Sequence, residues 1–304
     1  MPDDSSNSTF SLAKLLDKKT PLLDVLDIGA MIEESPRWSA VFHAGNAQLI
    51  LVEPNEKEAE RLQKAIGDDA RWLNCYLGDG NSATLHMTHY PGCASFFSPD
   101  PNIIDKFISI DTGSGSNFHV TETQFVKTTR LDDVSPSIAV DFIKIDVQGS
   151  ELKILENGIE TLSKVSVVEA EVEFIPVYRD QPLFGELQVF MRSQGFVLHK
   201  LIDVASRCFR PLYFDENVTS GMSQMLWADA IFIRDFTNLD LYTDEGLLKT
   251  AYIMHDIYGS FDFVYVLLNE FDKRQGTSFS GPYANELAKF SKLPKFMLNV
   301  KELN

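Results

Sequence analysis

Apolar positions along the chain recur with two alternating periods, and the alternation predicts an open α/β sheet. Leu22–Ala30 (LLDVLDIGA) and Ala47–Val52 (AQLILV) read as strands bounded by turn residues. A helix follows the second strand: Asn55 caps it, Glu58 stands where a capping box places its acid, and Ala59, Leu62 and Ile66 line one face before Gly67 ends it. Trp72–Leu77 predicts a third strand running into Gly78-Asp79-Gly80. The rhythm lapses over residues 82–139, where short β-like runs alternate with loops rich in Pro, Gly and Ser, so this stretch reads as an insertion. It resumes with a strand ending at Asp146, a helix with Leu152, Leu155, Ile159 and Leu162 on one face, a strand over Val165–Phe174, and a helix near Phe184–Gln194. Two strands, from Phe196 and over Met225–Arg234, then succeed each other without a helix, which predicts an antiparallel pair at that edge.

The fold class expected is therefore a doubly wound α/β sheet, mostly parallel, with one antiparallel strand in its edge region. Residues 1–20 read as a loose leader with a short helix near Leu12–Leu16, 21–236 as the main domain, and 237–304 as a C-terminal helical extension. Ser260–Asp272 carries an apolar stripe in that extension. Packing explains the stripe most simply, and a homodimer contact or a lid is the sharper alternative.

Composition narrows the partners. Acids outnumber bases 44 to 27, for a net charge of −17, which disfavours nucleic acid and anionic membrane. No apolar run approaches the roughly 18 residues of a spanning helix, and the N-terminus lacks a signal-peptide core. Cys75, Cys93 and Cys208 have unrelated spacings, form no zinc pattern, and suit a reducing cytoplasm. His86 and His89 would face opposite sides of a strand, so no metal centre is expected.

Three acids close three successive strands: Asp27, Glu53 and Asp79. The carboxyl ends of strands are where open α/β sheets bind ligands. Gly29 and Ala30 follow Asp27 where a backbone must approach a ligand, and Glu53 lies near the ~20-residue interval at which an acid grips ribose hydroxyls. The first loop, Gly29-Ala30-Met31-Ile32-Glu33-Glu34, has no second glycine and sets two carboxylates where a pyrophosphate would lie. A nucleotide-dependent oxidoreductase would need a phosphate-tolerant loop. A cofactor carrying a cation and no phosphate, as S-adenosylmethionine does, suits these residues better.

The most informative stretch is Phe142-Ile143-Lys144-Ile145-Asp146-Val147-Gln148-Gly149-Ser150-Glu151. It places Lys144 and Asp146 inside a buried strand, at a cost that pairing or chemistry must offset. With Asp27-Ile28-Gly29-Ala30, Val52-Glu53-Pro54-Asn55, Leu77-Gly78-Asp79 and Cys93-Ala94-Ser95, it resembles the FkbM-type S-adenosylmethionine-dependent methyltransferases over about Leu22 to Phe196. Two positions depart from that pattern: Glu33 replaces a glycine and Gln148 an acid. The resemblance implies a Rossmann-like methyltransferase sheet, and S-adenosylmethionine held by Asp27, Gly29, Ala30, Glu53 and Ser95, with Asp79 near the adenine. It also implies Asp146 at the transfer centre, and a small-molecule hydroxyl acceptor, sugar or polyketide-like. A catalytically degenerate S-adenosylmethionine-binding module would also accommodate Glu33 and Gln148.

Candidate proton acceptors follow from position. Asp146 comes first. Glu169, Glu171 and Glu173 share one strand face, so Glu171 or Glu173 should reach the open end, and Lys144 can pair with one of the three across the sheet. His119, in the insertion, is a further candidate base. Tyr178, Arg179 and Gln181 follow the acidic strand and can contact substrate or merely be solvated.

Overall fold

The computed structural model describes residues 10–31, 36–67, 69–134, 140–213 and 216–289; Glu33 lies outside them. Among the described residues there are ten strands: β1 (Leu23–Ile28), β2 (Ala47–Val52), β3 (Ala70–Leu73), β4 (Tyr76–Leu77), β5 (Ser82–Thr88), β6 (Val120–Thr129), β7 (Phe142–Ile145), β8 (Val167–Glu173), β9 (Phe196–Ser206) and β10 (Met225–Arg234). Seven form one sheet in the order β3-β2-β1-β7-β8-β10-β9. β1, β7 and β8 pair in parallel, as do β2 and β3, while β10 runs antiparallel to both β8 and β9. The chain thus winds outward twice from its first strand, in a Rossmann-like sheet. Its one reversed strand inserts next to the edge, because the connection over residues 207–224 brings β10 back between β8 and β9 in the opposite direction.

Buried strands read as continuous apolar runs when both faces are covered. Ile28, Val52, Ile143, Ile145, Val168 and Ala170 pack with Ile154, Leu155, Leu187 and Met191 from the flanking helices. Asn55 caps the helix Glu56–Ile66, its side chain accepting the Lys57 N–H at 3.1 Å. Glu58 does not close a capping box; its Oε1 takes Arg61 Nη1 at 2.6 Å instead.

Two elements differ from the sequence reading. Trp72–Leu77 is not one strand: β3 ends at Leu73, and Tyr76–Leu77 leaves the main sheet to pair in parallel with Thr128–Thr129, joining β5 and β6 in a three-stranded sheet. The helix after Asp146 breaks into Glu151–Glu156 and Ile159–Leu162. Leu131 fills the space at Gly158, where a Cβ would come within 2.5 Å of its Cδ2, and the Asp132 N–H takes the Asn157 carbonyl that a continuous helix would use internally.

The chain divides into two compact units that do not follow its linear order. One comprises Asp24–Pro36 and Gln48–Phe236; the other, the described parts of Met1–Leu23, Arg37–Ala47 and Thr237–Asn304. The segment read as a leader is integral to the second unit from Phe10 onward. Leu12 and Leu16 are buried, and the Leu12 N–H donates to Asp256 Oδ2 at 2.9 Å. The helices Asp244–Asp256, Phe261–Gln275 and Ser280–Leu287 bury their apolar stripes within this unit, Leu247, Ile253, Leu267 and Leu268 among them. Among the described residues no helix is long and apolar enough to cross a membrane.

Candidate active site at the carboxyl ends of β7 and β8

Hydrogen-bonded register sets the charged residues side by side. Asp27 on β1, Lys144 on β7 and Glu169 on β8 are direct neighbours across the sheet, all buried. Lys144 Nζ stands 3.9 Å from Asp27 Oδ1, so its ion pair with β1 offsets part of what burying both charges costs. One turn nearer the sheet's end, the Asp146 N–H donates to the Ile28 carbonyl at 3.0 Å. Gly29, at φ +79°, passes so close that a Cβ would fall 1.9 Å from the Asp146 carbonyl oxygen. Only glycine lets the first loop and the Asp146 strand end meet.

Gln148 organises the centre. It sits at φ +58°, a region side-chain-bearing residues seldom occupy. Its Nε2 donates to Asp146 Oδ1 at 2.9 Å and to Glu171 Oε2 at 2.6 Å. Two carboxylates need a donor between them, which fixes the amide's orientation. The Tyr178 hydroxyl lies 2.9 Å from Gln148 Oε1 and 3.0 Å from the Cys93 carbonyl, two acceptors for its single proton. Ser95 Oγ donates to the Gln148 carbonyl at 2.6 Å and accepts the Phe97 N–H at 3.0 Å. The insertion is thus laced to the sheet's carboxyl end, where Cys93, Phe107, Ile110 and Phe118 also pack with Val177 and Tyr178.

The carboxylates repel one another. Glu171 and Glu173 are held well above the ordinary carboxylate range, first by burial and then by neighbouring acids: Asp146 for Glu171, Glu151 for Glu173. Burial raises Glu151 to about 7, although its Oε1 accepts the Val147 N–H at 2.8 Å. Asp146, Glu151 and Glu171 bring one oxygen each within 4.8 Å of one another, a spacing that a cation could also bridge. The Cys93 thiol is pushed up to about 12 by burial and by Asp146, which makes it a poor nucleophile.

At the end of β2, burial raises Glu53 to about 7, with the charges of Glu58 and Asp27 adding to the effect. Its Oε1 accepts the Asn55 N–H at 2.6 Å, and its second oxygen takes no hydrogen bond from the described residues. Gly29 and Ala30 direct their N–H groups to the Val52 carbonyl, drawing the first loop beside Glu53. Asp79 follows β4, outside the main sheet; it accepts the Asn81 N–H at 2.9 Å and pairs with Lys153 at 3.4 Å.

A cavity of about 350 Å³ adjoins the acid cluster. Gln148, Glu171 and Glu173 reach it from the sheet, Tyr90 and Phe118 from the insertion, and Trp227 from β10. His119 is not part of its lining; Nδ1 of that ring lies 3.3 Å from the Thr112 carbonyl. Asp146 and Glu171 are therefore brought together, Asp27, Gly29, Ala30 and Glu53 gather at the neighbouring strand ends, Ser95 holds the Gln148 backbone, and Asp79 and His119 are engaged elsewhere. Tyr178 and Gln181 are buried, not solvated, and the Gln181 Oε1 accepts the Tyr178 N–H at 2.6 Å. Glu151 went unsuspected because an acid at a helix start reads as ordinary; Gln148 read only as a missing carboxylate.

The Methyltransferase FkbM domain family matches residues 27–198, more than half of the chain, and the chain belongs to that family. It is 27% identical over 201 residues to the 2-O-methyltransferase NoeI of Sinorhizobium fredii (strain NBRC 101917 / NGR234), covering 61% of this chain and 75% of that one. Among solved structures it is similar to the precorrin-6y C5,15-methyltransferase of Geobacter metallireducens GS-15, with a TM-score of 0.33, 11% identity, and coverage of 73% of this chain and 87% of the other. The 23S rRNA methyltransferase ErmE gives a TM-score of 0.31 at 11% identity, over 89% and 83%.

Proposed function

We propose that the protein transfers a methyl group from S-adenosylmethionine to a hydroxyl of a small molecule. The observation that carries this reading is the convergence of Asp146 and Glu171 on one glutamine amide, beside a cavity and at the sheet's ligand-binding end. The NoeI relative, a 2-O-methyltransferase by name, supports oxygen as the accepting atom.

The donor set suits the cofactor. Asp27 and Glu58 raise the energy of a charged Glu53, and a phosphate-free ligand bearing a cation relieves that repulsion where a phosphate would worsen it. Bound S-adenosylmethionine supplies an electrophilic methyl carbon on a sulfonium, whose bonding pair leaves with the sulfur. Glu53 accepts ribose hydroxyls on its uncommitted oxygen. Gly29 and Ala30 shape the loop beside it, and Asp146 orients the reacting end. Glu171 takes the acceptor hydroxyl's proton on a carboxylate oxygen; burial and the Asp146 charge raise its basicity, which favours that transfer. The insertion excludes water from the centre. Free Cys75, Cys93 and Cys208 fit a reducing, cytoplasmic setting.

Calorimetry with S-adenosylmethionine tests the reading. Glu53→Ala should weaken binding by roughly 1.5–3 kcal/mol, the range for hydrogen bonds to a charged group. Unchanged affinity in a folded variant removes Glu53 from the site. Binding of NAD in place of S-adenosylmethionine would favour an oxidoreductase. Tight S-adenosylmethionine binding without S-adenosylhomocysteine release, across a panel of acceptors, would favour a non-catalytic binding module.

A further inference from the structure

Glu173 is the cavity acid for which methyl transfer has no use. It is 4% exposed and reaches the cavity of about 350 Å³ from the end of β8. The Gln181 side chain favours its charged form without closing a hydrogen bond, the Gln181 Nε2 having no partner. Acids dominate its surroundings: Glu171 on the same strand face, Asp229 opposite Glu171 on β10, and Asp146 and Glu151 beyond β7. Cys93 and Tyr178, whose proton affinities are raised by burial, stay neutral there. Arg207 is the basic residue of the lining, and among the described residues it makes no ion pair with either glutamate. Its guanidinium lies over the Trp227 ring at 5.2 Å, and Nη1 donates to the Ser206 carbonyl at 2.7 Å.

Burial among like charges leaves Glu173 in want of a counter-ion, and the cavity wall selects its kind. Trp227 is the direct cross-strand neighbour of Glu173, and Tyr90 and Phe118 extend the aromatic surface. A carboxylate set among aromatic rings receives an organic ammonium, through a charge-assisted hydrogen bond and through the negative faces of the rings. An anion would be repelled by both glutamates, and an apolar ligand would leave them unpaired. The cavity has room for about one ring. Glu171 and Glu173 stand two residues apart, about 6.7 Å along the strand, so one such ligand can reach both. Resting on the methyltransferase reading above, we propose that this cavity holds a cation subsite: the acceptor carries a protonated amine, which binds Glu173 beside Trp227 while its hydroxyl faces Glu171. The ligand enters as the ammonium, and a proton held by Glu173 passes to solvent as the ion pair forms.

Calorimetry on the full chain, saturated with S-adenosylhomocysteine, tests the subsite with three ligands of one shape and different charge. These are trans-4-aminocyclohexanol, trans-cyclohexane-1,4-diol and trans-4-hydroxycyclohexanecarboxylate. The amine should bind about tenfold to hundredfold tighter than the diol, the reach of a hydrogen bond between charged groups, and the carboxylate more weakly than the diol. Affinity for the amine should rise from about pH 5 to about pH 8, with a heat that depends on the buffer's ionisation enthalpy because a proton is released. Glu173→Gln should erase the preference for amine over diol, and Trp227→Leu should reduce it by about threefold to tenfold. Diol or carboxylate binding as tightly as the amine overturns the proposal, as does absence of binding by all three. A preference that survives in folded Glu173→Gln also overturns it. The charge series is read on the unmodified protein, so it decides the matter even where a variant fails to fold. Failure of the unmodified protein to bind S-adenosylmethionine or its product overturns instead the reading on which the subsite rests.

Discussion

Both compact units bury titratable groups, and they treat them in opposite ways. In the helical unit, His255 is 4% exposed and held neutral, its affinity for a second proton lowered to about 4 by burial. A carbonyl can only accept, so Nε2 donates to the Phe10 carbonyl at 2.6 Å and Nδ1 accepts from the Tyr283 hydroxyl at 3.0 Å. Phe10, Phe261 and Tyr283 pack edge-on or tilted around the ring. Both ring nitrogens of the imidazole are satisfied. At the carboxyl ends of β7 and β8, by contrast, Glu151, Glu171 and Glu173 crowd around Asp146, and burial followed by the neighbouring acids raises the proton affinity of the three glutamates. Asp146 and Glu171 share Gln148 as donor, and Glu171 and Glu173 line a cavity. Burial with complete pairing serves the fold; burial with mutual repulsion costs stability and persists where chemistry uses it.

The largest expected effect separates those two roles. Glu171→Gln keeps the shape and removes the proton acceptor, so turnover should fall by about 10²–10⁴, the usual contribution of a general base. Because a neutral amide relieves repulsion from Asp146, the variant should unfold at a temperature equal to or above that of the unmodified protein. Single-turnover transfer and thermal unfolding, measured on one sample, check both. Normal turnover with a large loss of stability would place Glu171 beside His255 as a structural group.

Next in size is the pH dependence of stability. Glu53 holds its proton up to about 7 in the folded chain against 4.5 ordinarily, so between those values the folded state binds more protons than the unfolded. Stability from this group therefore falls as pH rises from about 4.5 to about 7, by on the order of 3 kcal/mol, and is level above. His255 has the opposite sign. Its folded value lies below the ordinary 6.5, so it costs stability as pH falls from about 6.5 to about 4. Neighbouring Asp256, raised to about 6 by burial, partly offsets it over the same range. The signs are therefore read as differences: Glu53→Gln should flatten the decline between pH 5 and 7, and His255→Phe should gain on the unmodified protein as pH drops below 6. If both variants shift the curve in one direction, the contrast between the units fails.

The sheet was legible because its period-2 and period-3.6 patterns are long and continuous, and because Glu53 and Asp146 end strands at turn residues. What escaped the sequence depends on contacts distant along the chain. Tyr76–Leu77 belongs to a second sheet because Thr128–Thr129 offers it a partner, and no local signal announces that. Leu131 makes the break at Gly158 intelligible only once the fold brings them together. Lys144 has carboxylates on both neighbouring strands, and only the register shows that its pair on β1 is Asp27. Gln148 is the sharpest case. A one-dimensional comparison registers a lost acid, whereas in three dimensions an amide is the group that can lie between two carboxylates and donate to both.

The smallest expected effect concerns His119, and it tests whether imidazole takes any part in proton handling. As a histidine in the insertion it was a reasonable candidate base. The ring, however, faces the Thr112 carbonyl, while the adjacent Asn117 and Phe118 are the residues that line the cavity. Its backbone N–H bonds Ser116, and its carbonyl accepts from His89, so the position serves the loop's own geometry. His119→Gln retains a group able to donate to Thr112, and stability should change by no more than ~0.5 kcal/mol. Turnover should stay within about twofold, since no general base is removed. The pH profile of transfer is the more telling readout. If carboxylates alone handle the proton, the profile of His119→Gln superimposes on that of the unmodified protein, while Glu171→Gln loses its limb. A hundredfold loss in folded His119→Gln, or a vanished limb near neutral pH, would give the insertion a catalytic imidazole. The division between a structural histidine in one unit and working carboxylates in the other would then no longer hold.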